Sequence, residues 1–543
     1  MHGTLLQTLG HQFGCPKVFL YICRMYIREK KNRSGTVSVQ AINKSSGKYK
    51  MLKSFGSSSD PAVIEKLRRA GKAWINSYGG QLDMLSLFEK EETARREKEE
   101  AERVLGNVEN ILINGTQLIL DKVFNLIGFD AIDDDVLKQL VIARLCQPSS
   151  KAGTIDYLKS YYDEDVNLSK IYRYLDKLYN TQQEKIQQIS VEHTRKILGG
   201  RIGIAFYDVT TLYFETDYGD ELRATGFSKD GKHSQPQVVL GLLVSMDGYP
   251  LSYSLFNGSQ YEGRTMIPVV EDFVQRFELE DFVIVADSGL MTNKNIELLE
   301  SGGYKYIIGA RIKNESLEIK SWILSLEKQD KKFYELKKTE TSRLIVGYST
   351  QRAKKDAYNR EKGVARLKKA YNSGTITKEN INKRGYNKFL ELDKDIEVSI
   401  NQAKIEEDKL WDGLKGYITN TTLPPDVVYE QYRGLWVVEK AYRVTKGTLE
   451  MRPMFHFTPR RIEAHVCICF VAYKVYKEFE RILKKSDINL SVDKALAIAK
   501  TITTISIKLP RNEQVISKTM LVTTRHKLIA QLFNNDFWIW VSQ

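Results

Sequence analysis

The sequence predicts a multidomain α/β protein: a mixed sheet flanked by helices and interrupted by an insertion, preceded by a small β-meander and an all-helical domain. Three observations carry that expectation. A chain of 543 residues exceeds what one hydrophobic core organises. Its apolar periodicity switches between strand-like alternation and helical three-and-four spacing at definite points. One stretch, 351–390, concentrates charge, with 12 Lys/Arg against 3 Asp/Glu.

Residues 1–24 carry no clear pattern, and Met25, which opens the first interpretable strand, is the expected biological start. From there "MYIREKKNRSGTVSVQAINKSSGKYKMLKSFG" alternates apolar and polar residues around Gly, Ser and Asn turns, so a basic β-meander is expected within 1–60. Residues 61–106 read as a charged helical linker ending in "EKEETARREKEEAER", a solvated face. Over 107–200, helical spacing in "DVLKQLVIARL" and "LSKIYRYLDKLY" predicts a helical domain. Arg173 and Lys177 sit four apart on the second of these. A helix-turn-helix that binds DNA ends is open there, beside the better-favoured plain bundle packing.

At Arg201 the period becomes that of strands: "IGIAFYD" (202–208), "QVVLGLLVS" (237–245) and "PLSYSLFNG" (250–258). Asp247-Gly248 marks a hairpin between the last two. A helix over about 265–277, the apolar run "DFVIVAD" (281–287), a helix near 293–300 and the strand "YKYIIGA" (304–310) complete an antiparallel-then-parallel sheet. Residues 311–411 look like a basic insertion domain, opening with short strands ("KFYEL", "SRLIVGYS"). Its concentrated charge favours a phosphate-contacting element over a merely solvated face. The sheet pattern resumes at "LKGYITN" (414–420), followed by a long helix from Pro425 to Gly447 and a second over 459–483. The core is therefore expected in 201–310 and 412–483. Residues 484–543 form a mixed tail whose end, "DFWIWV", is apolar enough to dock on the body.

Charge narrows the partners. Eighty-two Lys and Arg against 68 Asp and Glu leave a net charge of +14, which favours a polyanion, nucleic acid first and an anionic membrane surface second. No apolar run is long enough to span a bilayer, and the N-terminus lacks a secretory pattern, so an intracellular, cytoplasmic protein is expected. The five cysteines are too few for a disulfide framework and read as free thiols in a reducing compartment. His456 and His465 lie near Cys467 and Cys469, but the spacing fits no standard zinc pattern, and structural histidines are favoured. No G-x-x-x-x-G-K-[ST] loop is present, which argues against a nucleotide cofactor.

Asp208 and Asp287 each end a predicted strand, just before "VTT" and "SGL". Two carboxylates facing each other across neighbouring strands repel unless a divalent cation neutralises them, and hard oxygen ligands suit Mg²⁺ or Mn²⁺. Either Asp taken alone more often reads as a turn cap. Glu439 lies in "YRGLWVVEKAYRVTKG", where helical spacing puts Tyr432, Trp436, Glu439, Arg443 and Lys446 on one stripe. Aromatics, a carboxylate and cations on one stripe suit a face touching metal and phosphate; an ordinary Glu439–Arg443 surface pair is the competing reading.

With these motifs assembled, the chain resembles bacterial insertion-sequence transposases of the DDE type, in the group with a Y-R-E-K signature around the catalytic Glu. The stretches that carry the resemblance are "YDVTTLYFET", "DELRATGFSKDGK", "GLLVSMDGYPLSYSLFNGSQYEGRT", "VIVADSGLM" and "YRGLWVVEKAYRVTKGTLEMRP", continuing into "RRIEAHVCICFVAY". The resemblance implies an RNase H-like core, with the insertion falling between the second Asp and the Glu. It implies Asp208, Asp287 and Glu439 as a catalytic triad binding two Mg²⁺ ions, with Mn²⁺ able to substitute. The signature Tyr and Lys fall on Tyr432 and Lys446. The signature Arg falls on Leu435, leaving Arg433 or Arg443 to supply the guanidinium. Tyr432, Arg433, Trp436, Arg443 and Lys446 are the expected DNA contacts. Double-stranded DNA, as element ends and target, and a homodimer on paired ends are the implied partners. An RNase H-like nuclease without strand transfer, or a silent DNA-binding relative, are the alternatives.

Overall fold

A computed structural model of the chain describes residues 25–534 except 45–46, 79–83, 229–230, 280–281, 291, 378–379, 383–384, 394–396, 487 and 510–512. The expected start at Met25 and the apolar "DFWIWV" end concern residues 1–24 and 536–541, which lie outside these. Two compact units divide the chain: Met1–Glu109 with Ile507–Gln514, and Asn110–Ser506 with Val515–Gln543.

In the first unit, β1 (Met25–Lys31), β2 (Val37–Asn43) and β3 (Lys50–Ser58) form an antiparallel three-stranded sheet. Helix α1 (Pro61–Ser77) starts where the Asp60 carboxylate accepts the Ala62 amide at 2.8 Å, capping an otherwise unsatisfied donor. It lies so close to the sheet that a Cβ on Gly71 would meet Ile27 and Phe55. Helix α2 (Met84–Gly106) exposes residues 91–105 throughout and carries i,i+4 pairs such as Arg96–Glu92 at 2.8 Å, the solvated face its charge pattern predicts.

After β4 (Val108–Leu112), the second unit opens with a helical bundle: α3 (Gly115–Ile127), α4 (Asp135–Cys146), α5 (Lys151–Tyr162), α6 (Leu168–Thr181) and α7 (Gln183–Ile197). The helical pattern read from residue 107 thus begins with a strand. Three further helices accompany the central strands: α8 (Met266–Phe277), α9 (Asn293–Ser301) and α10 (Leu317–Ser325). The strands are β5 (Ile204–Tyr213), β6 (Gln237–Ser245), β7 (Pro250–Asn257), β8 (Val283–Ala286), β9 (Lys305–Ala310), β10 (Phe333–Lys337) and β11 (Arg343–Tyr348). Then come α11 (Thr350–Asn372), β12 (Leu390–Asp393), β13 (Glu397–Ile400), α12 (Gln402–Lys409) and β14 (Leu414–Thr419). Eight strands make one mixed sheet in the order β10-β11-β14-β9-β8-β5-β6-β7. The pairs β5–β8 and β8–β9 are parallel and the others antiparallel. Gly248, at φ +84°, makes the tight β6–β7 turn, a conformation Gly adopts without a Cβ clash.

Two expectations need correction. The strands read as opening the insertion, β10 and β11, belong to the main sheet, because β11 pairs with β14 from Arg343↔Thr419 to Tyr348↔Leu414. And the single helix expected over 425–447 is two: α13 (Pro425–Arg433) and α14 (Trp436–Arg443), followed by a π turn, Val444–Thr448. At the join the backbone tightens into i,i+3 bonds, Val437 amide to Gly434 carbonyl at 3.0 Å and Val438 to Leu435 at 3.2 Å. A Cβ on Gly434 would lie 2.4 Å from the ring of Phe206, so the absent side chain is what lets the helices sit directly on β5.

Alternation along the strands decides which face each side chain joins. Ala205, Tyr207 and Val209 pack in one core, with Ile284, Ala286 and the helix α8; Phe206, Leu212, Val283 and Val285 pack in the other. That second core also holds Val438, Ala441 and most of α15 (Pro459–Lys485), which is buried along much of its length between sheet and bundle. Helices α16 (Val492–Ala499) and α17 (Thr524–Gln531) follow.

Candidate active site

Asp208 and Asp287 lie on the helix-covered second face by the same alternation. Asp208 follows Phe206 by two residues and Asp287 follows Val285 by two. Strands β5 and β8 run parallel with Tyr207 beside Ala286, so the next residues on each, Asp208 and Asp287, are neighbours at roughly one strand spacing, ~4.8 Å. Glu439 is carried to the same face by α14, which is tied to β5 through Tyr442: its hydroxyl donates to the Asp208 carbonyl at 2.7 Å and the Leu240 carbonyl at 3.1 Å. Asp287 and Glu439 are exposed and Asp208 is half-buried.

Asp287 and Glu439 line a cavity of about 590 Å³ whose charged residues are otherwise all cations, Arg352, Lys355, Lys415 and Arg433, set among aromatic rings such as Tyr417, Tyr429 and Trp436. Burial lowers the Lys415 pKa and Arg352 lowers it further, while Asp287 and Glu439 act in the other direction. Lys415 therefore sits within the field of both carboxylates. Its Nζ lies 4.2 Å from the centre of the Tyr432 ring. Among the described residues no three His, Cys, Asp or Glu side chains already close as a metal-binding group. The donor set nonetheless has the right chemistry for a hard divalent cation: Asp208 at the register-matched position beside Asp287, and a third carboxylate from the covering helix. Asp208 does not end its strand as expected, because β5 stays paired with β6 as far as Tyr213.

The predicted DNA contacts fare differently. Tyr432 is only 5% exposed and donates its hydroxyl to Asp287 Oδ1 at 2.8 Å, with Tyr417 packed 4.8 Å from its ring. It therefore orients a carboxylate and does not present its ring to a base. Burial, then Asp287, pushes its pKa up, so the hydroxyl stays a donor at neutral pH. Trp436 fits the expectation of an open aromatic, 58% exposed at the cavity. Arg433 lines the cavity but pairs with Glu430 at 3.0 Å. Arg443 is exposed, does not line the cavity and forms no ion pair with Glu439. Lys446, on the π turn, donates to the Thr211 carbonyl at 2.9 Å, which anchors the turn to β5. Leu435, where the resemblance wants Arg, is a core residue.

Three cavity cations escaped the sequence reading: Arg352, Lys355 and Lys415. The signal for Arg352 was its place at the head of the basic run, in the first turn of α11. Nothing in the sequence pairs that run with the carboxylates; the β11–β14 pairing does. Lys177, one of the two cations of the helix-turn-helix option, donates to Asp134 at 2.7 Å. Cys146, Cys467 and Cys469 are free and buried, as expected.

A family model described as a transposase DDE domain matches residues 200–474. The chain belongs to that family. The matched span contains Asp208, Asp287 and Glu439, and also β10, β11 and α11, which lie between Asp287 and Glu439 in the chain. Among solved structures, the chain is similar to the piggyBac transposase synaptic complex with hairpin DNA, at 10% identity and a TM-score of 0.36, covering 66% of this chain and 68% of that one. It is also similar to the Mos1 transposase paired-end complex with the left transposon end, at 10% identity and a TM-score of 0.15, covering 30% of this chain and 59% of that one. No curated protein matches. No helix among the described residues is long and apolar enough to cross a membrane.

Proposed function

We propose that this protein is an insertion-sequence transposase that cuts the ends of its element and joins them to target DNA. The observation that supports the reading is the register match of Asp208 and Asp287 on parallel strands under the helix that carries Glu439, with Asp287 and Glu439 lining a cavity that also holds four cations. The antiparallel-then-parallel order of β7-β6-β5-β8-β9 supports an RNase H-like core.

In this reading Asp208, Asp287 and Glu439 would hold two Mg²⁺, with Mn²⁺ able to substitute; when bound, the ions supply Lewis acidity to the scissile phosphate and lower the pKa of the attacking hydroxyl. The chain's own residues do the rest. Arg352, Lys355 and Lys415 bind the phosphodiester against the carboxylate corner, and Arg352 takes the place of the guanidinium missing at Leu435. Tyr432 fixes the Asp287 carboxylate. Trp436, open at the rim, stacks on a base near the cut. Water first displaces one oxygen of an end phosphodiester and leaves a free 3′-hydroxyl. That hydroxyl then attacks a target phosphodiester, releasing the target's 3′ oxygen, with two copies of the chain holding paired ends.

The test uses purified protein, Mg²⁺ and a plasmid carrying the DNA that flanks this coding region. Asp208→Asn and Glu439→Gln are expected to abolish nicking at the ends while keeping DNA affinity within about twofold of wild type. Full cleavage by Asp208→Asn overturns the assignment. Pre-cut ends that are never joined to target would leave a nuclease without strand transfer.

A further inference from the structure

Away from the carboxylates, a second cavity of about 350 Å³ opens where α5 begins beside α15. Its buried charged groups are cationic: Arg144 and Lys151 are each 6% exposed, with His456 and His465 6% and 4% exposed beside them, while the one carboxylate of the lining, Glu450, is exposed. Arg144 donates to the Ser149 carbonyl at 2.8 Å, and Lys151 Nζ reaches His465 Nδ1 at 3.4 Å. No carboxylate among the described residues forms an ion pair with either cation. Two buried positive groups held only by neutral partners are costly unless an anion joins them.

Three independent features aim at that missing anion. The N-terminus of the 12-residue helix α5, capped by Ser150, opens into the cavity and brings the positive end of its dipole. His456 makes no hydrogen bond among the described residues although it is nine-tenths buried and lines the cavity; its ring lies 6.4 Å from that of Tyr172 and 5.3 Å from that of His465. In the lining, Phe455 is 61% exposed, an open ring of the kind on which nucleobases stack.

The geometry points to a DNA-binding subsite: one backbone phosphate held by Arg144, Lys151, His456 and the first turn of α5, with the adjoining base on Phe455. This rests on the transposase reading and gives the bundle a specific part in gripping DNA. Burial, then Arg144, lowers Lys151 to about 7, with Cys469 opposing, so an arriving phosphate also draws the ammonium fully into its charged form. The cavity is at the small end of the range for ligand pockets, matching a nucleotide unit more closely than a bare ion.

The test measures anisotropy of a short fluorescein-labelled duplex bound by the full chain in EDTA, across stepped salt, so that cleavage plays no part. Lys151→Met is expected to weaken binding roughly tenfold and to reduce the salt slope by about one. His456→Phe, which breaks no internal hydrogen bond, is expected to weaken binding several-fold and decides the matter if Lys151→Met fails to fold. Wild-type affinity and slope in a folded variant overturn the proposal. So does the case in which inorganic phosphate stabilises wild type but not Lys151→Met while duplex binding is unmoved, since the site then takes free phosphate. Pocket-dependent DNA binding by a protein that never cuts would remove the transposase reading and leave the subsite standing.

Discussion

The hydroxyl of Tyr432 does something a stacking aromatic does not: it holds Asp287 in place from below, while Lys415 lies over its ring. Replacing Tyr432 by Phe keeps the ring packing against Tyr417 and removes one donor to the carboxylate. The expected result is a cleavage rate lowered roughly tenfold, with more Mg²⁺ needed for half-maximal rate and DNA affinity unchanged. Single-turnover cleavage over a Mg²⁺ titration checks it; equal loss at all Mg²⁺ concentrations would mean that Tyr432 does not act through Asp287. Arg352→Ala separates a phosphate contact from a structural one, with DNA binding weakened about tenfold near the cut and melting temperature within a few degrees of wild type. Asp287 could be read from the chain because a carboxylate closing an apolar strand run is a local feature; Asp208 was singled out on the same ground, but β5 continues past it to Tyr213. Arg352 and Lys415 could not, because only the pairing of distant strands brings them to the same cavity.

Gly434 shows how an element join can govern the site. The i,i+3 turn around it allows α13 and α14 to press on Phe206, one residue from Tyr207 and two from Asp208. Gly434→Val gains only a few tenths of a kcal/mol in helix propensity, against about 1–3 kcal/mol for forcing bulk into a packed contact. Overpacking wins. Chemical denaturation is expected to show that net loss, and cleavage is expected to fall further than stability because Glu439 rides on the displaced helix. The helical stripe from Tyr432 to Lys446 could not be placed correctly from periodicity alone: it assumes 3.6 residues per turn throughout, whereas this segment tightens at Gly434 and widens into a π turn at Val444. Strands β5 to β9 were legible because alternation and apolar runs are strong over that span. Strands β10 and β11 looked inserted because nothing local says which distant strand they will meet.

For the whole molecule, buried bases set the pH dependence of stability. Burial, followed by the charges of Lys151 and Arg144, lowers His456 to about 3. Burial, with Lys474 next, lowers His193 to about 4, and His465 lies well below its usual value for the same leading reason. Unfolding returns each imidazole to a pKa near 6.5, so below that pH the unfolded chain binds protons that the folded chain excludes. Stability therefore falls as pH drops from 6.5, by roughly 2 kcal/mol each for His193 and His456 on reaching pH 5. Asp121 opposes this: burial raises it to about 6, so the folded state holds a proton that the unfolded state has lost between pH 3.8 and 6. Burial raises Glu463 as well, in the same sense, but Glu480, which burial raises and Lys440 and Lys477 bring down to about 2, acts with the three imidazoles, and the net slope keeps the histidine sign. Above neutrality Lys151, at about 7 when folded and 10.5 when not, adds a further rise in stability up to pH 10.5. Melting temperature measured from pH 5 to 9 should thus climb throughout. Lys151→Met should flatten only the part above pH 7, and His456→Phe only the part below 6.5. If both variants keep the wild-type profile, the cavity they share is not the charged, water-poor place the fold makes it.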